Sequence, residues 1–131
     1  MKKSMLLNGE ISYEIAKIGH TQTITVGDAG LPIPQKVKRI DLAVAKNVPS
    51  FLQVIDAVLS EMEVEKIVLA DEIHQKAPQL NEQILQRFTD TLVEYVPHEA
   101  FKEMTERSNA VIRTGETTPY ANIILVSGVT F

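Results

Sequence analysis

The sequence predicts an α/β fold, with helices on both faces of a largely parallel or mixed central sheet of about six strands. Three observations predict it. Apolar residues recur with helical spacing in several segments, short apolar runs of strand length stand between them, and the two kinds of segment alternate along the chain. No internal repeat, low-complexity run or linker interrupts this rhythm, so residues 1–131 are read as one domain.

The first helix is expected over residues 9–18, with Asn8 as its cap and Ile11, Ile15 and Ile18 facing inward. A strand is expected at 23–26 and another at 39–44. In the second, Ile40, Leu42 and Val44 alternate with Asp41 and Ala43, which suits a place nearer the sheet edge. The clearest helical signal follows. Phe51, Val54, Ile55, Val58, Leu59 and Met62 form one apolar stripe, and Pro49 and Ser50 suit its start. Residues 66–70 contain the continuous run Ile67-Val68-Leu69-Ala70, as expected of a central strand covered on both faces. A helix over 79–88, led by Pro78, is expected to bury Leu80, Ile84, Leu85 and Phe88. A strand at 92–96 leads to a helix after Pro97 with Phe101 and Met104 inside. Strands at 110–113 and 122–126 complete the set, the last holding a second continuous run, Ile123-Ile124-Leu125-Val126. Two segments rich in Gly, Pro and polar residues, 27–34 and 114–122, each adjoin a strand. Loops at strand ends build the binding sites of α/β sheets.

Composition narrows the function. Hydrophobic residues make up 44% and charged residues 23% of the 131 positions, which excludes disorder, a collagen and a coiled-coil rod. There is no cysteine, hence no disulfide, Cys-ligated zinc, iron–sulfur cluster or thiol nucleophile, a composition that fits a reducing cytoplasm. A net charge of -4 argues against a nucleic-acid partner bound through phosphate contacts. No stretch approaches the ~20 apolar residues of a membrane span. The basic, apolar start at Met1-Lys2-Lys3-Ser4-Met5-Leu6-Leu7 stops at Asn8-Gly9-Glu10, too soon for a signal peptide. A cytoplasmic protein, neither exported nor anchored, is expected.

Fingerprints for dinucleotides, P-loop nucleotides, zincins and α/β-hydrolases are all missing, so no cofactor is expected. The three histidines carry no metal-site spacing, and no metal is expected either. His20, between the first helix and the first strand, reads either as a proton-transfer group or as an ordinary helix-end histidine. His98 opens a helix four residues before Lys102, so both share a face. It reads as a neutral hydrogen-bonding ligand for hydroxyls or as part of a solvated face. His74 reads as a surface residue. Asp28, bracketed by Gly27 and Gly30 after the first strand, reads as a crevice carboxylate or as an Asx-turn. Tyr120 and Asn122, at i and i+2 by a strand's entry, are expected to share one face, either to hold a sugar ring and its hydroxyls or to pack. Asp71 and Glu72 stand in reserve as a further carboxylate pair.

Five blocks carry a resemblance. They are Gly19-His20-Thr21, Asp28-Ala29-Gly30-Leu31-Pro32-Ile33-Pro34, Val48-Pro49-Ser50-Phe51, Ala110-Val111-Ile112-Arg113-Thr114-Gly115-Glu116 and Pro119-Tyr120-Ala121-Asn122-Ile123-Ile124-Leu125. In this order and over nearly the whole chain they resemble the D-ribose pyranase family, bacterial ribose mutarotases that accompany ribose uptake. The sibling family, L-fucose mutarotase, reads Asp-Ala-Asn-Phe-Pro where this chain has Asp28-Ala29-Gly30-Leu31-Pro32, and Tyr-Gly-Asn where it has Tyr120-Ala121-Asn122. Both differences place the chain on the ribose side. Gln22 departs from the family pattern, which carries an acidic residue after the Gly-His-Thr block.

The resemblance implies interconversion of the β-pyranose and β-furanose forms of D-ribose. It implies His20 as the acid/base residue, and Asp28, His98, Tyr120 and Asn122 as sugar contacts with Lys102 beside them. It also implies a three-layer α/β/α subunit in a ring-built homodecamer, with sites shared between neighbouring subunits. Two other readings fit the same residues: a non-catalytic ribose-binding protein, which would not need His20, and a structural accessory protein of ribose transport.

Overall fold

The computed structural model describes residues 1–131. In chain order the elements are α1 (Gly9–Lys17), β1 (Thr23–Gly27), β2 (Lys38–Asp41), α2 (Phe51–Leu59), β3 (Val64–Ala70), α3 (Ile73–Lys76), α4 (Pro78–Leu85), β4 (Leu92–Val96), α5 (His98–Met104), β5 (Ala110–Arg113) and β6 (Ile123–Ser127). Caps set several boundaries. The Asn8 side chain accepts the Ile11 amide, and Ser50 and Gln53 form a reciprocal capping box before α2.

The six strands form one sheet in the order β2-β5-β1-β6-β3-β4. It is mixed: β2, β5 and β1 run parallel, as do β3 and β4, while β6 runs antiparallel to both β1 and β3. Strand 39–44 is shorter than its alternation suggested. It ends at Asp41 and forms an edge, and Val44 is exposed.

Side chains alternate cleanly across the sheet. Ile24, Val26, Ile67, Leu69, Ile112, Ile123 and Leu125 enter the main core with Ile11, Phe51, Val54, Ile55, Val58, Leu80 and Ile84 from α1, α2 and α4. Val68, Val111 and Ile124 point the other way, to a smaller cluster with Phe101 of α5 and Leu31. The two faces are thus unequally covered: three long helices on one, α5 and the segment around Leu31 on the other. The expectation for Leu85 fails. α4 stops at Leu85, three residues before Phe88, and Leu85 is left exposed while Phe88 is buried beyond the helix end. No helix is long and apolar enough to cross a membrane.

Candidate active site

The parallel strands bring their carboxyl ends to one edge of the sheet. Asp28 follows β1, Glu72 follows β3, His98 follows β4, and the antiparallel β6 starts there just after Asn122. Asp28 and Asn122, 94 residues apart, form a closed pair. The Asp28 amide donates to Asn122 Oδ1 at 2.9 Å, and Asn122 Nδ2 donates to Asp28 Oδ2 at 3.0 Å. The Gly30 amide donates to Asp28 Oδ1 at 2.8 Å, which is the Asx-turn. Asn122 is buried and Asp28 half-buried. Gly27 permits this approach: a Cβ there would lie 2.6 Å from Leu31 Cδ2 and 3.0 Å from Asn122 Oδ1.

The 110–116 block braces the same loop. Arg113 Nε donates to the Ala29 carbonyl at 3.0 Å, Thr114 Oγ1 to the Gly27 carbonyl at 2.8 Å, and the Ala29 amide to the Glu116 carbonyl at 2.9 Å. Arg113 also grips both oxygens of Asp41. Burial pushes the Asp41 carboxyl up, but the Ala43 amide and the Arg113 guanidinium outweigh it and hold the group below the usual carboxylate range.

His98 and Tyr120 meet beside this pair, with ring centroids 5.1 Å apart edge to face. The His98 ring also lies parallel to Phe101 at 6.2 Å. His98 Nδ1 is buried without a partner, which leaves Nε2 as the nitrogen able to meet a ligand. Lys102 shares the helix with His98, and its ammonium lies 2.6 Å from Glu99. That hydrogen bond and charge hold the Glu99 carboxyl below its ordinary range. The strand alternation assumed for Tyr120 and Asn122 does not apply. Both precede β6, and Tyr120 adopts φ 62°, a left-handed backbone that is strained for an aromatic residue.

His20 stands at the opposite end of β1. Five strand residues span about 16 Å, so His20 cannot reach Asp28 of its own chain. It occupies the second position of a type II-like turn, closed by the Gln22 amide on the Gly19 carbonyl, with Thr21 at φ 67° where glycine is usual. Gln22 stabilises this turn, its Oε1 accepting the Gly19 amide at 2.7 Å. The acid beside His20 is Glu65, whose Oε2 lies 2.8 Å from His20 Nε2. Glu65 is the extra residue of a β-bulge, since Val64 and Lys66 pair with the consecutive Ser127 and Val126. Bulges re-aim side chains in this way. Nothing in the local pattern around Glu65 links it to His20, 45 residues earlier, and sequence reasoning missed it. An open depression of about 460 Å3 adjoins His20, lined in part by Ile18, Met62, Val129 and Phe131.

His74 lines a depression with Asp71, Glu72 and Pro97, its ring 4.2 Å from that of Tyr95 and its Nδ1 3.0 Å from the Asp71 carbonyl. No three His, Asp or Glu side chains converge in a way that could hold a metal ion.

Comparison with known proteins gives the family. Residues 1–130 match the RbsD / FucU transport protein family. The chain belongs to that family. Among its relatives, the D-ribose pyranase of Geobacillus kaustophilus is 56% identical over 131 residues, covering 100% of this chain and 96% of that protein. The D-ribose pyranase of Rhodopirellula baltica is 53% identical over 135 residues, covering both chains fully. The RbsD structure from Bacillus subtilis, solved with D-ribose, superposes with a TM-score of 0.97 at 42% identity over 100% of each chain. The family fold extends to the fucose mutarotase of Streptococcus pneumoniae, with a TM-score of 0.80 at 24% identity over 100% of each chain.

Proposed function

We propose that this chain is a D-ribose pyranase, an intramolecular isomerase that interconverts the β-pyranose and β-furanose forms of D-ribose and so serves ribose uptake and use. The observation that carries the reading is 56% identity from end to end with a protein of that name. The chemistry of the two clusters agrees with it. Asp28, His98, Lys102, Tyr120 and Asn122 supply a carboxylate, an imidazole, an ammonium, a phenol and an amide on the segments that follow or precede the strands at one edge of the sheet, a set suited to sugar hydroxyls.

The reaction moves protons and one C–O bond. His20 takes the proton of the anomeric hydroxyl as the bond from C1 to the ring oxygen breaks, and the ring oxygen takes a proton from water. The aldehyde so formed rotates, and the 4-hydroxyl adds to C1 with the reverse proton transfers. A positioned acid/base group contributes about 10²–10⁴-fold to such a step. Glu65 accepts from Nε2 of His20 and orients the ring, which leaves Nδ1 to exchange protons with the sugar.

The site is completed between subunits. His20 and Asp28 flank opposite ends of β1, so the His20 that serves one sugar cluster belongs to a neighbouring chain. Val129 and Phe131 beside His20 are exposed large apolar groups that such a contact would cover. The assembly is a ring-built homodecamer working in the cytoplasm.

The test is anomer exchange in D-ribose, followed by NMR with catalytic amounts of protein. Wild type is expected to exchange β-pyranose and β-furanose signals selectively. His20→Ala at unchanged oligomer size is expected to lose about 10²–10⁴-fold of that rate. Exchange no faster than buffer in an intact assembly would leave a ribose-binding accessory protein.

A further inference from the structure

We propose that Glu72 is the positioning residue for His98, an inference that rests on the reading of His98 as a ribose contact. α5 begins without a side-chain cap of its own, because its N-cap residue is Pro97. Glu72 supplies one from another strand's end. The His98 amide lies 3.1 and 3.0 Å from the two Glu72 carboxylate oxygens, across 26 residues of chain. The one N–H is shared between the two oxygens of a carboxylate, an acceptor stronger than a neutral one.

The sheet makes this link short. β3 and β4 are parallel neighbours with Ala70 opposite Val96, and the Asp71 amide donates to the Val96 carbonyl at 2.8 Å. Glu72 is therefore the first side chain beyond β3 able to reach over Pro97 to the start of α5. His98 is then fixed from several sides: its amide by Glu72, one ring face by Phe101, and an edge contact by Tyr120. A displaced first turn of α5 would carry the imidazole away from Tyr120 and from the Asp28–Asn122 pair. Since His20, not His98, moves the proton, the loss falls on sugar binding.

The experiment uses the full chain with ring-labelled histidine. The three histidines are assigned by single substitution. KM and kcat for ribose exchange are measured for wild type, Glu72→Ala, Glu72→Gln, His98→Ala and the double variant Glu72→Ala/His98→Ala. Glu72→Ala is expected to shift the His98 ring signals while those of His20 stay in place. It is expected to raise KM roughly tenfold with kcat within about twofold, one factor of ten being an ordinary cost for a lost charge-assisted hydrogen bond. Glu72→Gln keeps an acceptor and is expected to recover most of the loss. In the His98→Ala background, Glu72→Ala is expected to add nothing. An equal KM increase in that background, or His98 signals unmoved by Glu72→Ala, would reduce Glu72 to a helix cap and overturn the proposal. If wild type exchanges no ribose, the ribose reading fails, while the His98 signals still decide whether Glu72 positions that ring.

Discussion

At the carboxyl end of β1, Asp28 makes four hydrogen bonds, two with the buried Asn122, one with the Gly30 amide and one with the Leu31 amide, and its loop is braced by Arg113, Thr114 and Glu116. At the amino end, His20 has one side-chain partner, Glu65, and the two side chains are 52% and 42% exposed. A satisfied network shielded from water holds its geometry unaided. A single exposed hydrogen bond contributes little by itself. The chain therefore builds the Asp28 end of β1 as a closed network and leaves the His20 end open. That contrast is physically reasonable if the open end is finished by the neighbouring subunit, which would exclude water from His20 and Glu65 and strengthen their contact.

The sharpest way to break this comparison is to divide the two ends between chains. Coexpressed His20→Ala and Asp28→Ala chains, each inactive alone, are expected to regain about a quarter of wild-type exchange by random mixing across subunit contacts. No recovery in mixed oligomers of confirmed composition would show that His20 and Asp28 of different subunits do not serve one shared site.

The bracing of the carboxyl end is the next target. A Cβ on Gly115 would lie 2.4–2.6 Å from the Ala45 carbonyl and the Val48 backbone, none of which is a flexible side-chain tip. Gly115→Ala is expected to destabilise the protein by about 1–3 kcal/mol, read as a lower Tm or denaturation midpoint. Gly27→Ala is expected to act more locally, since Leu31 can yield but Asn122 must retreat from Asp28. Ribose KM should rise severalfold with a smaller change in Tm; unchanged KM would show that the Asp28–Asn122 contact does not shape the crevice.

The smallest effect concerns pH. The folded Asp41 carboxyl sits below its unfolded value of about 3.9, so its contribution is present above that pH and is lost as pH falls through the folded value. The Tm difference between wild type and Asp41→Asn is expected to be largest near neutrality and to close below about pH 4. A constant difference across that range would remove Asp41 from the bracing of Arg113.

Much of the fold was legible because its signals are local. The apolar stripe of α2, the continuous runs of β3 and β6, and the caps at Asn8 and Ser50 each lie within one segment. Leu85 and Tyr120 show where such signals end: helix termination exposed the first, and a left-handed backbone took the second out of strand alternation.

The sequence by itself determined the six strands and the helices α1, α2, α4 and α5, their alternation, the family resemblance and the choice of the six candidate site residues, but not the short α3. Only the tertiary structure decided that β6 inserts antiparallel between β1 and β3, that Asp28 pairs with Asn122, that Glu65 meets His20 and that Glu72 holds the start of α5. The physical reason is range. Helical and strand periodicity arise from neighbours a few residues apart, whereas these contacts join residues 26 to 94 positions apart and exist only once strand order and register have brought their ends together.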